Sequence, residues 1–147
     1  MSYSTQDDLL KHVTSDDLTQ LTDDEGSGMV AADRVADAIA DADATIDGYL
    51  ARRYALPLSP VPALVNHLSV DIALYNLYCR RPGTMPEARK DRYDAALKQL
   101  TDLAKGLAVL PGASEAPPVL ADQAQTTTTD SVFTAANTSL QDPWGGY

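Results

Sequence analysis

The chain has 147 residues, with 11 Lys and Arg against 21 Asp and Glu, a formal charge of -10 and a pI near 4.3. That balance argues against a protein whose task is gripping phosphate backbones, which takes clustered Lys and Arg; the plainer use of such acidity is to keep a small protein in solution. Cys79 is the one cysteine, so an intrachain disulfide is excluded, no Cys/His cluster offers a zinc site, and a fold of this length must rest on packing.

The opening residues Met1 to Asp8 have neither the basic end nor the apolar run of a secretory signal, and no stretch of about 18 uninterrupted apolar residues occurs. The expectation is a soluble protein of a cytoplasm, or of something assembled there. Ser4 is a candidate cap for a short helix over about Thr5 to His12, with Asp7 and Asp8 in its positive first turn and Leu9, Leu10 and Val13 as its apolar stripe. Ser15 repeats the device ahead of Asp16, Asp17, Leu18 and Leu21. Both short helices read as clips outside the core.

Asp23, Glu25 and Ser27 alternate ahead of Gly28 in the manner of a calcium loop. Counting from Asp23, however, Ala31 occupies the ninth position and Arg34 the twelfth, where a bidentate Glu belongs, so an ordinary turn is expected.

From about Ala31 to Tyr54, the residues Val35, Ile39, Ala42, Ile46, Tyr49 and Arg53/Tyr54 recur at steps of three and four, which is one face of a long helix. Asp33, Asp37 and Asp41 form a row away from that stripe. With no histidine beside it, such a row is ordinarily a solvated face and not acid-base machinery. The prolines of Leu56 to Pro62 break the helix and predict a stiff, extended connector, with Pro62 opening the next helix.

That second long helix, to about Arg80, has almost no polar face and must be covered on most sides, by its own chain or by another subunit. Asp71 within it calls for a partner, with Arg52, Arg53 and Arg80 as candidates. A structural ion pair is favoured over a catalytic acid because no nucleophile or base accompanies it. His67 reads as a packed or edge histidine. A third long helix is expected over Glu87 to Lys105, with the stripe Tyr93, Ala96/Leu97, Leu100, Leu103/Ala104 and a left-handed stop at Gly106.

After Leu110 prolines and a polar run take over. The expected organisation is a helical core over residues 1–110 and an extended arm over 111–147. Its β-prone run 126–134 suits strand addition to a neighbour's edge, and Val132, Phe133, Trp144 and Tyr147 serve as anchors on a partner. The fold class is therefore all-α: a small bundle of about three long and two short helices with that arm.

The runs Ile46-Asp47-Gly48-Tyr49-Leu50, Arg53-Tyr54-Ala55-Leu56-Pro57-Leu58 and Val61-Pro62-Ala63-Leu64, followed by Val70 to Tyr78, resemble in this order the Mu-type phage and prophage neck proteins, related to the helical head-tail connector group. Tyr3 to Leu10, Leu21-Thr22-Asp23 and Leu103-Ala104-Lys105-Gly106 are similar as well, so the resemblance covers about residues 1–110 and leaves the tail out. It implies a structural adaptor without a reaction or cofactor. This would be a ring of on the order of twelve copies in the virion neck, assembled in the bacterial cytoplasm. The ring would dock beneath the portal protein and pass on to tail-completion proteins while DNA moves through without specific binding. In such a ring Asp33, Asp37 and Asp41 are candidates for a channel wall that repels DNA. The competing readings are a nucleic-acid-binding packaging component, which tight binding in a low-salt gel shift would reveal, and a small metal-dependent regulator or enzyme, which micromolar calcium binding would reveal.

Overall fold

The structure, a computed structural model, describes residues 1–81, 83 and 85–117. These form five helices: α1 (Gln6–Leu10), α2 (Ser15–Thr22), α3 (Ala32–Leu50), α4 (Ala63–Arg80) and α5 (Glu87–Lys105). The described residues are thus all-α, with the expected two short and three long helices.

Both short helices start one residue from the expected cap. Thr5 caps α1 in a reciprocal box: its hydroxyl accepts from the Asp8 amide at 3.3 Å, while the Asp8 carboxylate accepts from the Thr5 amide at 3.0 Å. This frees Ser4 to turn inward, where it is buried and pairs with the Ser69 hydroxyl at 2.7 Å. Thr14 caps α2 by accepting from the Asp17 amide at 3.1 Å, and Ser15 lies in the first turn.

On α3 the expected stripe Val35, Ile39, Ala42 and Ile46 is buried, joined by Ala38 and Leu50. The helix ends at Leu50, not Tyr54, and the chain turns there so that Tyr54 and Leu58 enter the core separately. Helix α4 is the centre of the bundle, burying Val65, Leu68, Ser69, Val70, Ile72, Ala73, Leu74 and Leu77. It packs on α3, α5 and α2, and also on α1. Most of its apolar surface is therefore covered by its own chain, with Leu64 and Cys79 left exposed.

The cover comes partly from the segments expected to be mere clips. Leu9 and Leu18 are fully buried and Tyr3, Val13 and Leu21 nearly so, all within one core cluster. Each buried leucine contributes about 1.5–3 kcal/mol, so α1 and α2 belong to the core energetically as well as geometrically.

The connector between α3 and α4 is bent, not extended, and inserts Leu58 into the core between Pro57 and Pro60. Helix α5 runs over the expected residues and ends at Gly106 with φ +80°. There the Leu107 amide returns to the Asp102 carbonyl at 2.9 Å, as a left-handed stop allows. Leu110 is then buried, its amide donating to the Tyr54 hydroxyl at 3.2 Å. Residues 111–116, assigned by composition to the arm, stay on the body: the Ala55 amide donates to the Ser114 carbonyl at 3.0 Å and the Ala116 amide to the Arg53 carbonyl at 2.8 Å. Tyr54 and Glu115 form an isolated antiparallel bridge there.

Candidate assembly surfaces

The carboxylate that the fold buries is Asp43, not Asp71. Asp43 is 8 % exposed on α3 and accepts from the Ser2 hydroxyl at 3.0 Å, the Tyr3 amide at 3.1 Å and the Ser69 hydroxyl at 2.9 Å. Because the Ser69 proton goes to Asp43, the Ser4 hydroxyl is the donor in the Ser4–Ser69 contact. Asn66 on α4 donates to the Tyr3 carbonyl at 2.9 Å and to Asp8 at 3.1 Å, and the Tyr3 hydroxyl donates to Asp47. Burial, then the Asp47 contact, pushes the Tyr3 phenol up to about 12. Lys11 foremost, with Asn66 and Thr5, holds the Asp8 carboxyl well below the usual carboxylate range. These bonds lock the N-terminal segment across α3 and α4. The signal for Asp43 was present in the spacing Ile39, Asp43, Ile46, Leu50, which continues the buried stripe through an acid.

Loop 23–28 is an ordinary turn around Asp23, whose carboxylate accepts from the amides of Gly28 at 2.6 Å, Ser27 at 3.0 Å and Glu25 at 3.2 Å. Those bonds from Ser27 and Gly28 foremost lower its pKa. Next to it, Asp24 gathers Arg80 at 2.9 Å, Arg34 at 3.1 Å and Arg81 at 3.6 Å, and the Arg80 hydrogen bond foremost lowers the Asp24 pKa.

The expected pairing of Asp71 with Arg52, Arg53 or Arg80 does not occur. Asp71 faces α5, where Arg92 approaches to 3.9 Å beside the stack of Tyr75 on Tyr93, whose rings lie 3.8 Å apart and 10° from parallel. Arg80 is nine positions farther along the same helix, roughly 13 Å away, and serves Asp24 instead. Arg53 pairs with Glu115 at 3.2 Å, and Arg52 makes no ion pair among the described residues. His67 is exposed and meets His12 edge-on at 6.2 Å between ring centres.

Two charged surfaces stand out on the described body. Asp33, Asp37 and Asp41 stand exposed along α3, flanked by exposed Ala36, Ala40 and Ala44. Beyond the other end of α3 lies an open groove of about 610 Å³ lined by Gly48, Tyr49, Arg52, Arg53, Thr101, Ala104 and Lys105. The Nε of Arg53 is buried there without an acceptor among the described residues. The anchors Val132, Phe133, Trp144 and Tyr147 lie outside the described residues.

The family described as Bacteriophage Mu, Gp36 matches residues 3–129, which takes in every element above. The chain belongs to that family. Two relatives agree with this: gene product J of Escherichia phage Mu is 40% identical over 83 residues, 56% of this chain, and Mu-like prophage FluMu protein gp36 of Haemophilus influenzae is 34% identical over 104 residues, 71% of this chain. The aligned part spans 59% of the length of gene product J and 72% of that of the FluMu protein. Membership of the Gp36 family makes this a protein of a phage or prophage kind, and the family match runs to residue 129, beyond the residue near 110 where the resemblance was expected to stop. No helix among the described residues is long and apolar enough to cross a membrane.

Proposed function

We propose that this Gp36-family chain is a non-catalytic structural adaptor of the phage neck. Copies of it form a ring beneath the portal protein, link the head to tail-completion proteins, and continue the path along which DNA passes without specific contacts. No cofactor enters this role. Residues beyond 117 add a contact to a neighbour, with Val132, Phe133, Trp144 and Tyr147 as its anchors.

The observation that carries the reading is the division between interior and surface. The body closes its own apolar core around α4, while the exposed side of α3 and the groove at its end carry segregated charge. A subunit built this way folds first and assembles afterwards through polar faces, which suits an adaptor added to a preformed ring. The hydrogen-bonded carboxylates Asp43, which is buried, and Asp8 and Asp23, nearer the surface, each hold chain segments together, which is structural work.

The test is to mix the purified chain with portal rings of its own phage and image the product by electron microscopy. Added density of defined symmetry on one face of the portal is the expected result. Failure to bind portal or tail-completion proteins, together with tight DNA binding in a low-salt gel shift, would replace the adaptor by the nucleic-acid-binding alternative.

A further inference from the structure

Charge is divided along one helix. The exposed face of α3 carries Asp33, Asp37 and Asp41, with Ala36, Ala40 and Ala44 on one side and Arg34 and Arg80, both paired with Asp24, on the other. Arg34, the cation nearest that row in sequence, is committed to Asp24 at 3.1 Å. At the opposite end of α3, Arg52, Arg53 and Lys105 line the open groove together with Tyr49. Glu115 pairs with Arg53, but Arg52 and Lys105 make no ion pair among the described residues. In a chain of charge -10 this is a local excess of cations.

Asp37 and Arg52 are 15 positions apart on or just beyond one helix, roughly 22 Å, so the row of one copy cannot enter its own groove. Resting on the self-assembling adaptor read above, we infer that the occupant of the groove is the α3 acidic row of a second copy. The contact joins two different patches and is therefore head-to-tail, the kind that closes into a ring or extends into a filament instead of stopping at a dimer. Tyr49, Arg52 and Arg53, which line the groove, are of the residue types that dominate interface energetics. A row seated on a neighbour is not part of a channel wall, so this assignment replaces the wall role for Asp33, Asp37 and Asp41.

The experiment uses the full chain carrying Cys79→Ser, with Asp37→Cys and Arg52→Cys introduced singly and together. Mild oxidation at high protein concentration is expected to give a ladder of trimers and larger species only from the double variant; each single variant can reach a dimer at most. In sedimentation, Arg52→Glu with Lys105→Glu, or Asp37→Lys with Asp41→Lys, is expected to weaken self-association by on the order of tenfold, and mixing the two reversed chains restores it. If both reversed chains associate as the native chain does and no ladder forms, the inference fails while the adaptor reading stands. If the native chain neither associates nor cross-links at any salt concentration, the inference falls together with the self-assembly beneath it.

Discussion

The guanidinium of Arg53 lies directly over Gly106, so that a side chain at residue 106 would collide with Nη1 of Arg53. The same arginine reaches Glu115 at 3.2 Å and covers the Tyr54 ring at 5.8 Å, and its carbonyl accepts from the Ala116 amide. One residue thereby ties the end of α3, the stop of α5 and the following segment together.

Gly106→Ala should therefore destabilise for two reasons. The φ of +80° costs a non-glycine residue about 1–2 kcal/mol, and the new methyl group pushes the end of the flexible Arg53 side chain aside, a smaller cost. A fall in melting temperature of several degrees by circular dichroism is expected, with Gly106→Asn milder because asparagine tolerates this conformation. Equal stability of Gly106→Ala would contradict the packing.

Asp43→Ala leaves the Tyr3 amide and the Ser69 hydroxyl inside the protein without an acceptor, at about 1–3 kcal/mol for each group. Urea unfolding should show the largest loss of any single carboxylate replacement. By contrast Asp37→Ala, on the exposed face, should change the midpoint little.

Leu9→Ala and Leu18→Ala should each cost about 2–5 kcal/mol, because both side chains are fully buried beside α4. Were α1 and α2 peripheral clips, denaturant midpoints would hardly move, and that outcome would remove them from the core.

Stopping the chain after Leu110 removes the Ser114 and Ala116 hydrogen bonds and the Arg53–Glu115 pair, whereas stopping after Pro117 retains them. The shorter chain is expected to be less stable by about 1–3 kcal/mol. Identical melting curves for the two truncations would show that residues 111–117 add nothing to the body.

The two ends of the pH scale should act on different groups. Asp8, Asp23 and Asp24 have folded pKa values below the ordinary 3.8, so their contribution is complete above about pH 4 and is lost as the pH falls through the folded values. Tyr3 is raised from 10.0 to about 12, so the fold retains its proton longer than the unfolded chain does; its contribution is complete below pH 10 and fades as the pH rises towards 12. Urea midpoints should thus be flat near neutrality and fall at both extremes, and Tyr3→Phe should lack the part of the alkaline fall that Tyr3 causes.

Helix type and order were legible from periodicity and end signals, while the extent was not throughout, since α3 stops at Leu50 and not at Tyr54. Pro86 before Glu87 and Gly106 after Lys105 bound α5 by local backbone chemistry, and the steps of three and four through Val35, Ile39, Ala42 and Ile46 declare which side of α3 turns inward. Shared facing is a local property, and neighbours three or four positions apart decide it. What covers each face is not local. That α1 and α2 seal α4, that Asp43 and not Asp71 is the buried acid, and that Asp24 collects Arg34, Arg80 and Arg81 all depend on residues far apart in the chain, 56 positions for Asp24 and Arg80. Such partners meet only once the long helices have packed, so the tertiary structure alone decided which charges are spent inside the body and which stay on its surface.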